Sequence, residues 1–137
     1  AVLAGLNEAF PMDRHGEMFF TAWCGIYDPA SRILRYAAGG HPPAVLVLPG
    51  GETAILASGG PVIGALGGVS FRVQETTVPA GSRVFVFSDG AYEIQRADGA
   101  MACHKDLVEI LKQVPPAAGA SWVMARLREL NGESAFD

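Results

Sequence analysis

Cysteine, clustered basic charge and long apolar runs are all scarce in this 137-residue chain, and each shortage removes a class of function. Cys24 and Cys103 are its two cysteines and form no C-x-x-C pair, so neither a zinc knuckle nor a disulfide framework is indicated. A reducing cytoplasm fits that usage. No stretch reaches the roughly 20 apolar residues of a membrane-spanning helix, and no basic segment followed by an apolar core and cleavage site opens the chain. The expectation is a soluble, cytoplasmic segment with no membrane part. Ten Lys and Arg against fourteen Asp and Glu give a net charge of −4 with no basic block, so no nucleic-acid partner is expected. The surplus acidity serves solubility, or supplies carboxylates that can hold a metal.

What the chain does have is apolar content, half of all residues by the AVILMFWYC count, enough to bury a core without staples. It also has 17 glycines and 9 prolines without a period, which implies many tight turns. Val2, Leu3, Leu6 and Phe10 fall at helical spacing but no capping residue precedes them. Residues 18–27 (MFFTAWCGIY) are apolar nearly throughout, as in a strand covered on both faces, and 31–38 read as its hairpin partner after Asp28-Pro29. Residues 44–48 and 53–56 form a second pair around Pro49-Gly50-Gly51. Residues 58–68 (SGGPVIGALGG) form a shaped loop, 69–74 alternate as a half-exposed strand, and 83–87 (RVFVF) read as another buried strand. Two helices follow, at 105–113 and 121–130, parted by Pro115-Pro116 and closed by Asn131-Gly132. A helix, about six strands in hairpins and two helices argue for an α+β domain with antiparallel sheets.

Asp89 is the foremost candidate for chemistry. It ends an apolar strand and precedes a glycine, so its carboxylate is held rigidly and can be approached closely; Mg²⁺ or Mn²⁺ would suit it. The competing reading is an ordinary Asp-Gly turn. Glu93 shares its side if 91–95 make a helical turn, or is simply an acid favouring a helix dipole. His41 sits between two glycines and two prolines and reads foremost as a hydrogen-bonding anchor of that loop, because no acid-base partner lies nearby in sequence. His15 and His104 fall in polar turns and read as solvated. Cys103, beside His104-Lys105, is a remote candidate nucleophile. G-x-S-x-G is absent, and the glycine loop lacks the Lys-Ser or Lys-Thr of a P-loop.

Four segments occur in order: Thr21-Ala22-Trp23-Cys24-Gly25-Ile26-Tyr27-Asp28, Ala38-Gly39-Gly40-His41-Pro42-Pro43, Ser58-Gly59-Gly60-Pro61-Val62-Ile63-Gly64 and Phe87-Ser88-Asp89-Gly90-Ala91-Tyr92-Glu93. Together they resemble the SpoIIE-type branch of the metal-dependent (PPM, protein phosphatase 2C-like) serine/threonine phosphatases. That resemblance implies two antiparallel β-sheets packed as a sandwich and flanked by helices, with residues 1–137 a single, incomplete domain cut at both ends, the N-terminal part and the last strand missing. It also implies a binuclear Mn²⁺ or Mg²⁺ centre whose bridging water attacks the phosphorus of phosphoserine or phosphothreonine. Two metals stabilise the attacking oxygen and the phosphoryl charge and make hydroxide available near neutral pH. By the same resemblance Asp89 is a metal ligand and catalytic residue, and Asp137 stands where the family's final aspartate pair begins.

The chain departs from the family pattern in three places. The upstream glycine-aspartate and aspartate-x-x-glycine-histidine-glycine motifs are not in it; Ser88 stands for the commoner threonine; and Ala100-Met101-Ala102-Cys103 replaces a glutamate, apolar residues and a phenylalanine-glycine pair. One or two aspartates cannot supply the roughly six oxygens of a Mg²⁺ site, so the chain alone is expected to be inactive. The reading is thus part of a bacterial signalling phosphatase acting on a phosphorylated regulatory protein of the anti-sigma antagonist kind, with a sensor or receiver domain in the parent chain. The alternatives are a catalytically silent phosphatase-like module that binds proteins, and a generic sheet-rich binding domain.

Overall fold

The computed structural model describes residues 2–131. Its elements run α1 (Val2–Ala9), β1 (Ala22–Asp28), β2 (Ile33–Gly39), β3 (Ala44–Val47), β4 (Thr53–Leu56), β5 (Gln74–Thr77), β6 (Arg83–Phe85), α2 (His104–Lys112) and α3 (Ala120–Asn131). The strands make two three-stranded sheets, ordered β1-β2-β5 and β4-β3-β6, so the expected α+β class with antiparallel sheets and flanking helices is what the chain adopts. No helix among the described residues is long and apolar enough to cross a membrane.

The chain divides into two compact units, 1–44 with 55–80 and 45–54 with 81–137. In the first, β2 is the central strand. It pairs antiparallel with β1 from Ala22↔Gly39 to Asp28↔Ile33, and with β5 from Ile33↔Thr77 to Tyr36↔Gln74. Its Leu34, Tyr36, Ala37 and Ala38 are buried, and Trp23 stacks on Tyr36 across the hairpin with centroids 6.0 Å apart. Leu3 of α1, Ala37 and Ile63 form a small core with Leu6, Ala22, Cys24 and Phe71 against it.

The second unit is built on Val45 and Val47 of β3, packed with Leu107 and Leu111 of α2, Val114, and Val123 and Leu127 of α3. Both helices expose charge on their outer faces, where Lys112 pairs with Glu109 and Arg126 with Glu129, each three residues apart. β6 pairs antiparallel with β3, placing Phe85 opposite Val45 and Arg83 opposite Val47.

Three expectations require correction. Residues 18–27 are not a strand buried on both faces: β1 begins at Ala22, and Met18, Phe19, Phe20, Ile26 and Tyr27 are exposed. Ile26 and Tyr27 are successive strand residues and point to opposite faces, so one helix packed on the strand covers at most one of them, and α1 packs near Ala22 and Cys24. Residues 83–87 are likewise half-covered, with Phe85 and Phe87 against the core and Val84 and Val86 exposed, because successive side chains of an extended chain point to opposite faces and one of those faces meets the core. Finally, 69–73 are irregular and the strand follows at Gln74–Thr77. Phe71 is drawn into the Leu3–Ala37–Ile63 core, and the Ser58 hydroxyl donates to the Arg72 carbonyl at 2.7 Å, which diverts the backbone from a ladder.

Candidate functional site

Asp89 follows β6 by four residues and opens a 3-10 turn, Asp89–Ala91. The amides of Tyr92 and Glu93 both donate to its carbonyl at 2.9 Å, and Ala91 donates to the carbonyl of Ser88. The turn therefore needs its backbone more than its side chain. Phe87 on one side and Ala91, Tyr92 and Ile94 on the other pack against the unit's core, so the turn is anchored at both ends while Asp89 and Gly90 project. Asp89 Oδ1 accepts the Gly90 amide at 2.9 Å and the residue is exposed. The sequence leads one to expect a carboxylate presented at the end of a buried strand; instead β6 ends at Phe85 and Asp89 stands in the turn beyond it, with solvent rather than a buried pocket around it among the described residues.

Behind the turn lies an aromatic group. The rings of Phe87, Tyr92 and His104 meet pairwise, Phe87 to His104 and Tyr92 to His104 at 5.6 Å and Phe87 to Tyr92 at 6.1 Å. Burial raises the Tyr92 hydroxyl above its ordinary pKa, and the negative charges of Glu93, Asp89 and Cys103 push the same way. His104 is thus not a solvated turn residue: it begins α2 and is half-buried against two rings. Cys103 precedes it, exposed, with its amide donating to Asp106 Oδ2 at 2.8 Å. That bond, followed by Arg96 at 3.1 Å, holds the Asp106 carboxyl below its ordinary value.

Glu93 is exposed, but the helical turn expected at 91–95 is absent: the 3-10 turn ends at Ala91 and Gln95 bridges to Met101. Asp89, Glu93, Cys103 and His104 belong to the second unit, His15 and His41 to the first. His41 Nδ1 donates to the Pro42 carbonyl at 2.8 Å, the loop-anchoring role read from the sequence. His15 is half-buried with its ring 5.4 Å from that of Phe10, so it too is less solvated than a polar turn suggests. Asp137 lies outside the described residues. No group of three or more His, Cys, Asp and Glu side chains among the described residues is placed to hold a metal ion. One exposed carboxylate offers at most two oxygens, so these residues do not by themselves fit a Mn²⁺ or Mg²⁺ centre.

The family model of stage II sporulation protein E (SpoIIE) matches residues 1–137. This chain belongs to the SpoIIE family. A crystal structure of the RsbU and RsbW domains of Rv1364c from Mycobacterium tuberculosis is similar in fold, with a TM-score of 0.68 and 21% sequence identity over 86% of this chain. The chain spans 34% of that protein's length. No curated protein matches it.

Sequence reading missed two residues that organise the units. Asn7 is buried in α1 and bonds the glycine-rich loop, and Arg83 opens β6 and bonds the segment between α2 and α3. A polar residue four positions after Leu3 on an apolar helix face was the available signal for Asn7. For Arg83 there was none, because its partners are carbonyls more than 30 positions away.

Proposed function

We propose that this chain is part of a metal-dependent protein serine/threonine phosphatase of bacterial signalling, with Asp89 as one carboxylate ligand of its Mn²⁺ or Mg²⁺ centre and Asp137 as a second. The observation that carries the reading is the Asp89-Gly90 turn, whose flanks are packed on the core while the carboxylate projects. A rigid backbone holding an exposed acid is what a site assembled with ligands from other segments requires. Membership in the SpoIIE family supports the same reading. Its substrate is a phosphorylated regulatory protein of the anti-sigma antagonist kind, in the cytoplasm; the resemblance in fold to a protein carrying RsbU and RsbW domains supports a partner of that sort.

The 137-residue chain alone is expected to show no metal-dependent turnover, since its described residues offer no cluster of ligands. The test uses the protein that carries this chain together with its natural flanking sequence. Mn²⁺-dependent hydrolysis of a phosphoserine peptide should fall at least a hundredfold in Asp89→Asn, with Mn²⁺ affinity falling in parallel by calorimetry. Unchanged hydrolysis would remove Asp89 from the metal centre. The same absence of a ligand cluster favours a second reading, a silent phosphatase-like module that binds its partner without hydrolysing it; wild-type protein that binds a phosphorylated partner but releases no phosphate with Mn²⁺ would establish it.

A further inference from the structure

Asn7 is 4% exposed, within a helix whose other buried residue is Leu3. An apolar side chain would be the default at such a position. Instead Asn7 Nδ2 donates to the Leu66 carbonyl at 2.8 Å and its Oδ1 accepts the Gly64 amide at 2.8 Å, bonds that cross 59 and 57 positions of sequence. One side chain therefore satisfies a donor and an acceptor of a loop that has no ladder of its own, groups that would be costly to bury unpaired.

The loop is held on its other sides as well. Met12 donates to the Gly64 carbonyl at 2.9 Å, and Phe20 and Ile63 exchange both backbone bonds. Gly64 has φ +94°, and a Cβ there would collide with the Phe10 carbonyl oxygen. At the far end, Gly40 donates to the Gly60 carbonyl at 3.0 Å, and a Cβ on Gly60 would collide with the Ala38 carbonyl oxygen. Gly40 is the neighbour of His41. The backbone thus runs without slack from α1 through 60–66 to the turn that carries His41, all within the first unit.

We propose that Asn7 locks α1, the glycine-rich segment 60–66 and the Gly40-His41 turn into one cooperative unit, so that the docking of α1 sets the position of His41. Asn7 is in these terms a positioning residue, acting on His41 through Gly64 and Gly60. The proposal goes beyond the phosphatase reading and does not depend on it.

Amide hydrogen exchange and long-range ¹H–¹⁵N spectra of the His41 imidazole, recorded on the full chain, test it. In Asn7→Leu, exchange should accelerate at least tenfold at Gly64, Ile63 and Gly40 together, and the His41 ring signals should shift, while amides of α2 such as Leu111 keep their wild-type rates. Gly64→Ala attacks the same lock from the loop side and should reproduce that set. Acceleration confined to Gly64, with Gly40 and His41 as in wild type, would show a local bond only and overturn the proposal. Uniform acceleration that includes Leu111 in both variants would overturn it too, because the bonds would then hold the whole fold and not a unit within it.

Discussion

The guanidinium of Arg83 reaches the Ala118 carbonyl, with Nη1 donating to it at 2.6 Å. The same nitrogen donates to Pro115 at 2.8 Å, and Nη2 donates to Val114 at 2.9 Å. Three carbonyls of the segment joining α2 to α3 thereby converge on one side chain from the first residue of β6. A guanidinium can do this because its donors diverge in a fixed plane. Arg83→Ala should lower unfolding stability by about 2 kcal/mol, since hydrogen bonds to a charged donor are worth more than neutral ones but these are partly solvated. Arg83→Lys should recover less than half, one ammonium being unable to span three acceptors. Urea unfolding of both variants checks this, and a lysine variant as stable as wild type would count against it.

Arg32 ends the β1–β2 turn with φ +56°, a left-handed conformation that non-glycine residues adopt at a cost, while its carbonyl accepts the Val78 amide at 2.8 Å. Glycine relieves that cost of roughly 1–2 kcal/mol but gives back part of it in unfolded-state entropy. Arg32→Gly should therefore raise stability by about 0.5 kcal/mol. Arg32→Ile should lower it, because a β-branched side chain tolerates positive φ worst. A melt of the two variants in which isoleucine equals or exceeds glycine would contradict this account.

Two aspartates should make the fold acid-sensitive in a defined window. Asp28 accepts the Ser31 hydroxyl at 2.6 Å and the Ala30 amide at 3.0 Å, and these bonds, the serine's first, lower its pKa below the ordinary 3.8. Asp106 is lowered from the same value chiefly by the Cys103 amide. A carboxyl whose folded pKa lies below its unfolded one contributes stability above the unfolded value, and that contribution is lost as pH falls through the folded value. Stability should thus decline below about pH 3.8 through these two groups, and Asp28→Asn should flatten that decline. Carboxyl carbon titrations by NMR should give midpoints under 3.8 for both; midpoints at or above it would dismiss the mechanism.

Asp89→Asn should leave the fold of this chain within about 0.5 kcal/mol of wild type, as expected of an exposed residue with no long-range partner among the described residues. The side chain accepts the neighbouring Gly90 amide, which an asparagine oxygen can also do, and the turn is held by backbone bonds. A thermal melt that loses several degrees would show instead that the carboxylate is structural.

Both helices of the second unit were legible because their signal is local. Leu107, Leu111, Val123 and Leu127 repeat at helical spacing and are the residues buried, and Pro115-Pro116 parts the helices as read. The β1–β2 hairpin and the span of β4 were likewise legible from turn residues and short apolar runs. Asp89 could be singled out for the same reason: the apolar run 83–87, Ser88, the acid and Gly90 are consecutive in sequence. Side-chain type and spacing along a few residues determine such features, since neighbours in sequence are neighbours in space.

What the tertiary structure decided was coverage and long-range pairing. An apolar run such as 18–27 cannot state which of its faces will meet another element, and α1 packs near Ala22 and Cys24 while Ile26 and Tyr27 stay exposed. The alternation of Val69, Phe71 and Val73 was overruled once Phe71 found a core residue to pack on, and the strand starts five residues later, from the polar Gln74–Thr77. Asn7 with Gly64, and Arg83 with Ala118, are paired across 57 and 35 positions. Hydrogen-bond partners at such separations are chosen by the closed chain, because a donor's need for an acceptor is written in its own side chain but the acceptor's position is not.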